Sequence, residues 1–74
     1  MNARYRHVAY GLDDAQCRYW VAVWGDDGPE TPEVYCVDLI QAEWLARAFA
    51  VALDLENIVQ VDDLGPIRAE RIAP

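Results

Sequence analysis

Bulky side chains follow one another with few breaks from Arg4 to Trp24. The pattern then yields to a polar loop, a short apolar run and a long stretch rich in alanine and leucine. "RYRHVAY" (4–10) is rich in aromatic and β-branched residues and predicts a strand. "GLDDA" (11–15) has the composition of a turn, and "QCRYWVAVW" (16–24) completes a hairpin. "GDDGPETPE" (25–33), with two glycines and two prolines, predicts a loop. A short strand follows over Val34–Val37.

At Asp38 the periodicity changes. Asp38 with Gln41 three positions later is a capping-box arrangement, and no Gly or Pro interrupts the chain from there to Glu56. The run predicts a helix of about 17 residues, roughly 26 Å long. Its polar positions are Glu43, Arg47, Ala50 and Asp54, and Glu43 and Arg47 form an i,i+4 pair. Ile40, Trp44, Leu45, Phe49 and Val51 fall on an apolar arc wider than one sheet face needs. "NIVQV" (57–61) predicts another strand and "DDLGP" a turn, and the tail from Ile67 carries no assignable pattern. The order β-β-β-α-β makes residues 1–74 a single α+β domain: a two-layer fold, with an antiparallel-rich sheet and one helix packed on one face. The last strand is expected parallel to the first and third, reached by a right-handed crossover.

The strand 16–24 is apolar on both faces, which raises the question of what covers the second one. Pairing Tyr10 with Gln16 puts Arg4, Arg6, Val8, Tyr10, Arg18, Trp20, Ala22 and Trp24 on one face, joined by Tyr35. Tyr5, His7, Ala9, Cys17, Tyr19, Val21, Val23, Val34 and Cys36 fall on the other. Unpaired arginines cannot lie under a helix without a cost of several kcal/mol, so the second set is the expected core. The open face is then a patch of Arg4, Arg6, Tyr10, Arg18, Trp20, Trp24 and Tyr35, residue types enriched at binding hot spots. The alternative is that loops and the tail, through Ile67 and Ile72, fold over it.

The net charge is −7, and all six basic residues are arginine. Such a balance disfavours contact with nucleic acid or anionic membrane. Aspartate doublets stand at strand ends: Asp13 and Asp14, and Asp62 and Asp63, gather with Asp38 at one end of the sheet. Asp26, Asp27 and Glu30 gather with Glu33, Asp54 and Glu56 at the other. Aspartate is a turn residue, so these positions have a structural explanation. Equally, two acidic ends could occupy a groove that ordinarily attracts phosphates.

Serine is absent, which excludes a Ser–His–Asp site. One His and two Cys fall short of a zinc set, and "DDGPETPE" lacks the order of a calcium loop. His7 and Cys17 are the one base and nucleophile expected on a common face. Cys17 and Cys36 are spaced about 13 Å apart along the ladder, beyond a disulfide's reach. No cofactor, metal or catalytic residue is expected. The start of the chain has no apolar leader pattern and no run of about 18 apolar residues occurs, so a cytoplasmic protein is expected.

In size, acidity and absence of motifs the chain resembles small phage or mobile-element inhibitors of the anti-CRISPR type, some of which act as DNA mimics. The resemblance transfers no functional residues, and it implies as partner the basic surface of a Cas effector. The expected function is a non-enzymatic protein-interaction module that binds and inhibits a larger partner. Two alternatives stand beside it. One is a single-stranded nucleic-acid binder using the aromatic and arginine face. The other is an obligate homodimer, in which the row Ala42, Ala46, Ala50 would let another helix approach closely.

Overall fold

A computed structural model describes residues 5–62 and 65–72. Expectations for Arg4 and Asp63 lie outside the described residues. The elements are β1 (Tyr5–Asp13), β2 (Arg18–Gly25), β3 (Gly28–Pro29), β4 (Val34–Cys36), α1 (Leu39–Ala52), β5 (Asn57–Asp62) and β6 (Gly65–Arg71). They form a mixed, mostly antiparallel six-stranded sheet in the order β3-β2-β1-β5-β6, with β4 also on β2. The helix lies across one face, so the chain is α+β. The order is fuller than the sequence indicates: Gly28–Pro29 makes a short rung on β2, and the unassigned tail becomes β6, antiparallel to β5. As expected, β5 runs parallel to β1.

The first hairpin closes later than composition indicates. Asp13 pairs with Arg18, and the loop is held by Gln16 N–H donating to the Asp13 carbonyl at 3.2 Å, with Cys17 at φ 53°. Tyr10 therefore pairs with Val21 rather than Gln16, and Val8 with Val23. The shift is an odd number of residues, so it reverses the faces of β1 relative to β2. Val8 and Tyr10 lie under the helix, whereas His7, Ala9 and Gly11 lie on the open face. This corrects the placement of Tyr10 in the open patch and of His7 and Ala9 in the core. Between Tyr5 and His7 the register slips. This bulge keeps Tyr5 on the core side and turns Arg6 out to Asp26, with bonds of 2.7 and 3.0 Å. The arginine that weighed against this face is thus removed from it.

Gly11, read as a turn residue, is a strand residue. A Cβ there would collide with the Val61 carbonyl and lie 3.1 Å from the Trp20 ring. A strand glycine commonly marks such a close approach.

The helix starts as expected: Asp38 Oδ1 accepts from Gln41 N–H at 2.7 Å, and Gln41 Oε1 accepts from Val37 N–H at 2.9 Å. It stops earlier than expected, in 14 residues. Asp54, at φ 58°, takes the left-handed position past the C-cap. Asp54 N–H donates to the Val51 carbonyl and Leu55 N–H to the Ala50 carbonyl, the two bonds of a Schellman motif.

The alanine row expected to meet another helix meets the sheet instead. Ala42, Ala46 and Ala50 are fully buried against Val8, Tyr10, Val21, Val23, Cys36 and Ile58. Ala50 accordingly leaves the polar stripe. Alanine at every contact position lets the helix backbone settle close to the strands, and Leu45, Phe49, Leu53 and Leu55 close the flanks. Ile72 packs on this same core and not on the second face, and Ile67 is exposed. Among the described residues no helix is long and apolar enough to cross a membrane.

Candidate interaction surfaces

The second face of the sheet is covered by its own side chains. No described strand or helix crosses it, yet Ala9 and Ala22 at its centre are buried. Trp20 lies over the Cα of Gly11, which has no side chain to hold it off. Trp24 stacks on His7, with ring centroids 6.1 Å apart and planes inclined at 22°. The Arg18 guanidinium sits 3.5 Å above the Tyr35 ring, a cation–π contact, and Tyr35 O–H donates to Glu33 at 3.1 Å. The face is a flat, half-exposed aromatic pavement. Two of its donors, Arg18 Nε and Trp24 Nε1, are enclosed without an acceptor.

Of the residues expected in this patch, Arg18, Trp20, Trp24 and Tyr35 come together on it. Tyr10 is buried beneath the helix and Arg6 is paired with Asp26 at the margin. His7 was missed as a member, since its side depends on where the hairpin closes. Burial lowers the His7 pKa from its ordinary value, so the stack favours a neutral imidazole. Cys17, in the turn at the far end of the hairpin, is nowhere near it. Both cysteines are free, Cys17 exposed and Cys36 buried, and burial pushes the Cys36 thiol pKa up.

The acidic residues divide as the topology requires, with one exception. Asp13, Asp14, Asp38 and Asp62 stand where β1, β4 and β5 end. Asp26 and Asp27 lie at the opposite end, with Glu30, Asp54 and Glu56. Glu33 belongs with the first group: it lines a depression of about 380 Å³ with Asp13, Asp14, Leu12, Ala15 and Trp20. Several acids are already engaged. Asp26 holds Arg6, whose hydrogen bond lowers its carboxyl pKa, Glu56 lies 3.5 Å from Arg71, and Asp13 accepts from Gln16 N–H. No group of three or more His, Cys, Asp and Glu among the described residues is arranged to hold a metal ion.

A second surface lies on the outside of the helix. Ile40 and Trp44 are each 68% exposed and Val51 70%, and Ala48 and Ala52 beside them are also exposed. The wide apolar arc was legible in the sequence; which half of it faces water was not. A shallow depression of about 460 Å³, lined by Trp44, Arg47, Ala48, Val51 and Ala52, runs along it.

No protein-family model, curated protein or solved structure matches the chain.

Proposed function

We propose that this chain is a small non-enzymatic binding module that docks a larger protein against the open face of its sheet. The observation that supports this most is the pavement of His7, Trp20, Trp24, Arg18 and Tyr35, which no described strand or helix covers. Flat aromatic surfaces with arginine at the margin gain most from excluding water when a partner is laid on them. The depression beside Trp20, walled by Asp13, Asp14 and Glu33, suits a basic side chain of that partner. The fitting partner is a protein whose surface ordinarily receives phosphates, and binding it would inhibit it, as inhibitors of the anti-CRISPR type do. Direct nucleic-acid binding is the weaker reading. Of the pavement residues only Arg18 carries a fixed positive charge, with a net charge of −7 behind it.

The test is competition. A labelled single-stranded oligonucleotide is bound to a basic effector complex of the Cas class, and the protein is titrated in. Displacement by wild type, lost in Tyr35→Ala/Trp24→Ala and in Asp13→Asn/Asp14→Asn, is the expected result. No displacement at any concentration removes the reading. Binding of the oligonucleotide by the chain itself at low salt, fading as salt rises, would replace it with the nucleic-acid one.

A further inference from the structure

The outer row of the helix is divided by size: Ile40 and Trp44 are large, Ala48 and Ala52 small, at four-residue spacing and all exposed. Such a row is its own complement when reversed. Two copies laid antiparallel across a two-fold axis set Trp44 of each over Ala48 of the other, and Ile40 of each over Ala52 of the other. We infer that α1 is the interface of a two-fold homodimer, with Trp44 seated in the partner copy's depression beside Ala48.

Three observations select a second copy as the occupant. The first is fit: the depression floored by Ala48 and Ala52 lies one helical turn from the indole that would fill it, and four-residue ridges set into facing grooves are the commonest helix packing. Because knob and socket are on one helix, every contact is made twice and the interface closes.

The second is area. Ile40, Trp44, Ala48 and Val51 together expose roughly 500 Å² of mostly apolar surface, the size of the largest patch on a typical monomer, which is often a functional one. Pairing hides at most about 1,000 Å² in total, at the threshold for a specific interface.

The third is charge. The acidic doublets stand at strand ends, whereas the helix itself carries one Glu and one Arg, 3.3 Å apart in a mutual ion pair. On a chain of net charge −7 the body of the helix, between Asp38 and Asp54 at its ends, is the stretch of least charge through which two copies can approach. The dimer leaves both open sheet faces pointing outward, so this inference stands independently of the function proposed above.

Sedimentation velocity of the full chain across a wide concentration range is the test. Wild type is expected to dimerise at micromolar concentration, and Trp44→Ala to raise the dissociation constant about 100-fold or more, since each indole is lost twice. Ala48→Glu is expected to do the same by charging the socket. The double variant Trp44→Ala/Ala48→Trp exchanges knob and socket at the same pairing, so it is expected to dimerise again. A wild type that stays monomeric throughout would overturn the inference and leave the row to another protein. So would a dimer unchanged by both single variants, each shown by circular dichroism to be folded.

Discussion

Arg47 on the helix and Glu70 on the edge strand are joined directly: Arg47 Nη2 donates to both oxygens of the Glu70 carboxylate at 2.6 Å. The same nitrogen lies 3.3 Å from Glu43 Oε1, so one guanidinium holds an acid of its own helix and an acid of β6. The strand thereby gains a tie to the second layer as well as its ladder to β5. This also explains how a segment with charges at Arg68, Glu70 and Arg71 becomes a strand.

The hydrogen bond from Arg47 holds the Glu70 carboxyl below the usual carboxylate range, and in return Glu70 raises the Arg47 pKa. A depressed carboxylate contributes stability above its unfolded value, about pH 4.3, and loses it as pH falls through the folded value. Glu70→Gln is therefore expected to flatten the acid limb of the stability profile while the neutral limb keeps its shape. Urea midpoints at pH 7 and pH 3 measure this. An acid limb as steep in the variant as in wild type would mean that the pair contributes nothing. Both groups are about a third exposed, so added salt should shrink the effect.

Gly11→Ala tests the floor of the open face. The new Cβ would meet a backbone carbonyl, that of Val61, which cannot swing aside as a side chain can. Overpacking of this kind costs about 1–3 kcal/mol. Because Trp20 would also be lifted, the near-ultraviolet circular dichroism should change along with the urea midpoint. Full stability with an unchanged tryptophan signal would show that the indole does not lie on Gly11.

Gly11 also marks where sequence reasoning stops. The faces of β2 were legible from alternation alone, because Arg18, Trp20 and Trp24 against Tyr19, Val21 and Val23 is a local pattern. The faces of β1 were not, because they depend on which residue turns the chain. Gly11 looks like the turn and Asp13 makes it. The helix N-terminus was legible because Asp38 and Gln41 are side chains with a recognisable bonding role. Its C-terminus was not, since an aspartate occupies the position where glycine would announce the stop. Arg18, Trp20, Trp24 and Tyr35 could be named in advance from composition and parity. His7 could not, and the exposure of Trp44 required knowing that the alanines, and not the larger residues, face the sheet.

Asp54 supplies a prediction of the opposite sign. It holds a left-handed conformation that costs most L-residues about 1–2 kcal/mol, and its negative charge sits at the negative end of the helix. Asp54→Gly removes both penalties and adds some unfolded-state entropy. A net gain of about 0.5–1 kcal/mol is expected. It should appear as a higher urea midpoint at constant slope. A loss of stability would indicate that the Asp54 side chain makes a contact of greater value than the strain.

His7 couples the open face to pH. Its pKa is lowered because the ring is partly buried against Trp24, so the folded state resists the proton that the unfolded chain accepts. Above about pH 6.5 both states are neutral and the stack is fully effective. As pH falls below that value the unfolded state protonates first, and stability declines until the folded value is passed. Two opposing effects act on the protonated ring: desolvation disfavours the charge and the indole face attracts it. Desolvation by burial is the effect that lowers the pKa. A proton NMR titration of the imidazole should give a midpoint below 6.5, with tryptophan fluorescence changing over the same range. His7→Phe should keep the stack and abolish both the titration and the loss of stability between neutral and mildly acid pH. A midpoint above 6.5 would reverse the order of these two effects and make the stack a cation–π contact.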